Sequence, residues 1–134
     1  MDPDSAIDQF LAAPVFAVVG ASEEPYKFGH KCYRCYLDNG LKAYPVNPNL
    51  TELLANPAYP DLLSLPEPVQ SVSVITQPYI TEKVVDDAIK AGVKNIWMQP
   101  GAESELAVAK ATKAGLNVIY GGPCLLVVMS YRGK

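Results

Sequence analysis

VFAVVGASEEPYKFGHKCYRCYLDNGLKAYPV, residues 15–46, is the stretch on which the fold turns. VFAVVG (15–20) is an unbroken β-branched and apolar run closed by Gly20, the pattern of a strand buried on both faces. Residues 28–39 then follow with helical period and stop at Gly40, and LKAYPV (41–46) begins at once as a second short apolar run. Strand, helix, glycine, strand is a crossover unit. Parallel neighbours need such a crossover, and its hand is right-handed.

The same phrase recurs down the chain. VSVIT (72–76), KNIWM (94–98) and LNVIY (116–120) read as further buried strands; residues 79–91 and 103–114 read as helices that end at Gly92 and Gly115. The repetition predicts an α/β fold in three layers, with a five-stranded parallel sheet between helices. Upstream, residues 4–13 predict a short covering helix starting from Asp4 or Ser5, with Ile7, Phe10 and Leu11 on one stripe before Pro14. Residues 47–68 hold Pro48, Pro57, Pro60, Pro66 and Pro68, so this crossover is expected to be mostly ordered loop with a turn or two of helix at 50–55 and 62–65. Residues 124–134 carry no clear pattern.

Composition narrows the function. The 134 residues, 49% hydrophobic and 19% charged, fit one domain spanning 1–134. Eleven basic against fourteen acidic side chains give a net charge of −3 without a dense cationic run, which argues against nucleic-acid binding. No apolar stretch approaches the roughly 20 residues of a membrane helix, and MDPDSAIDQF is acidic where a signal peptide would be basic. With three cysteines, an odd number, the chain is expected to be cytoplasmic, with no membrane partner.

Ligands of open α/β sheets lie beyond the carboxyl ends of the strands, so the loops after the first four strands matter most. They read GASEEPYKFGHK, NPN, TQP and QPGAES. In the first, Gly20, Ala21 and Ser22 are small enough for backbone amides to approach an anion, and Lys27, His30, Lys31 and Arg34 bring positive charge to the helix start. This is a candidate phosphate cradle. It is not a P-loop, and Ser22 and Pro25 stand where a dinucleotide fingerprint has its second and third glycines. The alternative is a plain strand-to-helix turn beside a solvated basic face. After the second strand come Val46, Asn47, Pro48 and Asn49, with no acid for a NAD ribose and no arginine for NADP, although Asn47 can hydrogen-bond a ribose or adenine edge.

GAS after the first strand, PVNP after the second, LPEPV before the third and WMQPG after the fourth occur in this order. Together they resemble the small CoA-binding domain family, itself similar to the amino-terminal CoA-binding domain of the succinyl-CoA synthetase alpha subunit, over roughly residues 10–125. The resemblance implies a Rossmann-like fold and CoA or acyl-CoA as cofactor. It would set Gly20, Ala21, Ser22 and Lys31 on the pyrophosphate, Asn47 and Pro48 beside the adenosine, and Thr76, Gln77 and Pro78 on the opposite wall. Gln99 and Gly101 would lie along the pantetheine arm. Family members often carry a basic residue after PVNP, where this chain has Asn49.

Other constellations have quieter readings. Cys32 and Cys35 share a helix face; with His30 and Cys124 they would make a Cys3His zinc set, but cysteine is among the most buried side chains and core packing is the expectation, with no metal. His30 has no nucleophile paired with it by spacing, and the synthetase's catalytic histidine belongs to a separate domain under the resemblance, so no catalysis is expected. Trp97 reads as core, Glu103 and Glu105 as complements to the dipole of the helix they begin, and Lys83 as a mid-helix residue far from the strand ends. Binding of CoA or an acyl-CoA leads. The alternatives are a nicotinamide-nucleotide sensor or small oxidoreductase domain, and a protein-interaction module with a vestigial cleft; the protein partner is unknown.

Overall fold

The computed structural model describes residues 2–132. In chain order it contains α1 (Pro3–Leu11), β1 (Val15–Val19), α2 (Phe28–Asp38), β2 (Lys42–Val46), the two-residue strands β3 (Glu52–Leu53) and β4 (Asn56–Pro57), a 3-10 turn (Leu62–Ser64), β5 (Ser71–Val74), α3 (Pro78–Ala91), β6 (Asn95–Met98), α4 (Glu105–Lys113), β7 (Asn117–Ile119) and α5 (Leu125–Arg132). The main sheet is parallel throughout, in the order β2-β1-β5-β6-β7. From β1 the chain steps to one edge for β2 and then crosses back to β5, so the order reverses between β1 and β5. Open α/β sheets part their crossovers at such a point and leave a crevice.

Alternation along the strands builds a core on each face. Val15, Ala17, Val19, Val72, Val74, Ile96 and Met98 meet α3, α4 and the 3-10 turn on one side. Phe16, Val18 and Trp97 meet α1, α2 and α5 on the other. The predicted three layers and five-stranded parallel sheet are therefore present. Two serines of β5 are paired on this side: Ser73 Oγ lies 2.5 Å from Tyr36 Oη, and Ser71 Oγ donates to Phe10 O at 2.7 Å. Trp97 is fully buried, edge-on to Phe10, and its Nε1–H donates to Pro123 O at 3.0 Å.

Gly40, Gly92 and Gly115, which close the three central helices in the sequence, all have positive φ, 72°, 79° and 87°. Two local expectations are revised and one unread segment gains structure. Asp2, not Asp4 or Ser5, caps α1 by accepting from Ser5 N at 3.0 Å, with Pro3 in the first turn. Residues 50–55 form no helix; β3 and β4 make a hairpin with Leu54 and Ala55 at its turn, because Leu53 docks its side chain into the core with α2. The unassigned tail forms α5, whose Leu125 and Met129 are buried in the same core. No helix among the described residues is long and apolar enough to cross a membrane.

Candidate functional site

Gly20 ends β1 with φ +96°, and its N–H donates to Val46 O at 3.0 Å. A Cβ there would lie 2.0 Å from Ile75 O, and a Cβ on Gly29 would lie 1.9 Å from Gly20 O. The loop after β1, the loop after β5 and the first turn of α2 thus touch through bare backbone. Gly29 supplies the close helix-to-strand approach that the third glycine of a dinucleotide fingerprint supplies elsewhere. Its only mark in the sequence is a glycine inside a helix start, where glycine costs helix stability.

The loop holds itself together by short links. Ser22 Oγ accepts from Glu24 N at 3.1 Å, and the Nδ1–H of His30, only 6% exposed, donates to Ser22 O at 2.8 Å. Asn47 crosses from β2: its Nδ2 donates to Ala21 O at 2.7 Å, while its Oδ1 accepts from Asn49 N at 2.8 Å. Lys27 is paired with Glu24 at 2.8 Å, and their hydrogen bond raises the lysine pKa and lowers that of the glutamate. Arg34 faces solvent beside Asp38 at 3.7 Å, whereas Lys31 is exposed and forms no ion pair among the described residues. No side chain caps α2 or α3, the helices that follow β1 and β5, whereas Asp2 caps α1 and Ser104 caps α4. Free N–H groups and the positive ends of two helix dipoles therefore stand near the switch point.

A cleft of about 480 Å³ opens at these strand ends, on the α3 side of the sheet. Of the predicted residues it brings together Gly20, Asn47, Pro48 and Thr76. Thr76 Oγ1 lies 2.6 Å from Thr81 Oγ1 in the first turn of α3. Ala21, Ser22, Lys27, His30 and Lys31 lie off its wall, as do Gln77 and Pro78 at the start of α3. Gln99 is fully buried, its Oε1 accepting from Leu125 N at 2.8 Å at the start of α5. Gly101 is exposed and donates to Glu103 Oε1 at 2.6 Å; Glu103 also accepts from Gly121 N, so it ties two loops together outside α4 instead of starting that helix. Lys83, expected far from the strand ends, lines the cleft with Asp87, Ile80 and Val84 of α3. Asp61 and Pro60 line it from the segment before the 3-10 turn.

A family model described as a CoA binding domain matches residues 15–130. The chain belongs to the CoA-binding domain family. A hypothetical protein from Pyrococcus horikoshii superposes with a TM-score of 0.91 at 28% identity, over 98% of this chain and 92% of that one. The dinucleotide-forming acetyl-coenzyme A synthetase 1 of Ca. Korarchaeum cryptofilum, solved with phosphate and ADP, aligns at 34% identity and TM-score 0.72 over 82% of this chain, but only 25% of its own length is covered. Acetate–CoA ligase (ADP-forming) I of Archaeoglobus fulgidus is 27% identical over 129 residues. The chain spans only 19% of that ligase and 17% of its form II counterpart. As a CoA-binding domain, the chain thus corresponds to one part of much larger enzymes.

The three cysteines of this CoA-binding domain form no disulfide. Burial, with the Cys124 and Cys35 thiols adding to it, pushes the Cys32 pKa far up, and burial also raises that of Cys35. Among the described residues no three His, Cys, Asp or Glu side chains gather into a group able to hold a metal ion.

Proposed function

We propose that the chain binds CoA or an acyl-CoA without catalysing a reaction on it. The observation that carries this is the cleft at the β1–β5 switch point, closed by the Gly20, Ile75 and Gly29 backbone contacts and approached by two helix starts that no side chain caps. Membership of the CoA-binding domain family supports the same ligand. In this reading the adenosine lies in the cleft beside Asn47, Pro48 and Thr76. The pyrophosphate meets the Gly20–Ser22 backbone and the start of α2, with Lys31 reaching it from the exposed face. Asn47 and His30 act by shaping the loop, since both are already bonded to its carbonyls. Gln99 acts through α5. Binding without chemistry is supported by the ligase relatives, in which this chain matches only a part of a much longer enzyme.

CoA should raise the melting temperature, and NAD and NADP should not. A ligand that binds only the native state stabilises by about 2.7 kcal/mol at one hundred times Kd. Lys31→Ala should weaken CoA binding about tenfold to a hundredfold in calorimetric titration, the worth of one charge-assisted hydrogen bond. No melting shift with CoA, together with a clear shift with NAD, would overturn the reading.

A further inference from the structure

The sugar end of the cleft has a charge that the sequence around β2 does not disclose. In doubly wound sheets the end of the second strand meets the ribose. Asn49 stands there, but two carboxylates line the same cleft from elsewhere in the chain. After the β3–β4 hairpin the chain runs beside β2, with Tyr59 N donating to Pro45 O at 3.0 Å and Asn47 N donating to Tyr59 O at 2.8 Å. This delivers Asp61 to the cleft wall. One oxygen of Asp61 takes both bonds from Ser64, at 2.9 Å each, which leaves the other for a ligand. Asp87 comes from the middle of α3 with its side chain 16% exposed. The one cation among the described lining residues is Lys83, 79% exposed and 3.9 Å from Asp87.

Two carboxylates against one largely solvated ammonium suit hydroxyl groups, which donate to carboxylates, and oppose a phosphate monoester, which carries nearly two negative charges at neutral pH. We infer that, among ligands of the CoA type, the cleft favours the form whose ribose hydroxyls are free and disfavours the same ligand bearing a phosphate on the ribose. The inference rests on the nucleotide reading proposed above and sharpens its ligand. Within that class, CoA carries the ribose phosphate and dephospho-CoA lacks it, while the pyrophosphate and pantetheine are identical. Discrimination between the two therefore reports on the sugar end alone.

Calorimetric titration of the full chain with CoA and with dephospho-CoA at low salt tests this. Dephospho-CoA should bind about tenfold tighter, and the gap should shrink as salt screens the carboxylates. Asp87→Asn should narrow the gap. Asn49→Lys, at an exposed position on the cleft wall, should strengthen CoA binding more than dephospho-CoA binding. If both ligands bind and CoA is equal or tighter on the unaltered chain, the inference falls while the CoA reading stands. If neither binds, both fall.

Discussion

At Gly29 one methyl group would decide whether the loop after β1 keeps its shape. Its Cβ would sit 1.9 Å from Gly20 O, a backbone atom that cannot rotate away. Gly29→Ala should therefore cost about 1–3 kcal/mol or more, the usual range for overpacking, read as a lower midpoint in chemical denaturation. Gly20→Ala faces a similar clash with Ile75 O and adds the strain of an alanine at φ +96°. It should lose at least as much. A denaturation midpoint unchanged in both variants would mean that the loops do not touch as described. The two glycines differ in legibility. Gly20 ends an apolar run, a position any strand-to-helix turn advertises, whereas Gly29 looks like an ordinary helix residue until the distance to β1 is known.

Among the elements, the β3–β4 hairpin is the one the sequence misreports. Leu53 pairs with Asn56 and Glu52 with Pro57 across a two-residue turn, Leu54 and Ala55, whose φ values are 50° and 67°. Neither residue favours the left-handed region, and the sequence has none of the Asn-Gly chemistry that marks such turns. Burial of Leu53 outweighs this local cost. Replacing the turn by Leu54→Asn with Ala55→Gly should stabilise the protein by about 1 kcal/mol or more, since Leu54 is itself exposed and little packing is lost. A fall in the denaturation midpoint of the double variant would place the turn outside the left-handed region. The longer elements were legible because each carries its own signals. The uniform burial of β1 and the glycines after α2 and α3 follow directly from residue type and spacing.

Over the whole molecule, Cys32 reports on integrity. It lies fully buried between α2 and the sheet, and burial keeps its thiol protonated well beyond neutral pH. Its alkylation should wait for opening of the core, while the partly exposed Cys35 and Cys124 react earlier. Mass-resolved labelling across a denaturant series should show Cys32 reacting only as the global transition is reached. Labelling of Cys32 at the rate of Cys124 in native buffer would contradict the packing of α2.

By itself the sequence determined the order of the five main strands and the helices between them, their parallel arrangement and the position of the glycine-led loop after β1. Hydrophobic periodicity and glycine conformation are local properties that survive without knowledge of what lies across the sheet. Tertiary structure alone decided what the cleft contains. Asn47 stands on the cleft wall with its amide bonded to Ala21 O, and Gln99 is drawn to the start of α5, because unpaired backbone groups nearby compete for the same side chains. Asp61 and Asp87 supply the acids that the residues after β2 lack, although they stand 15 and 41 positions beyond Val46, the last residue of β2. A reading along the chain weighs neighbours in sequence, whereas charge at a ligand site depends on neighbours in space. That distance is set by the return of the chain beside β2 and by the packing of α3 over the switch point.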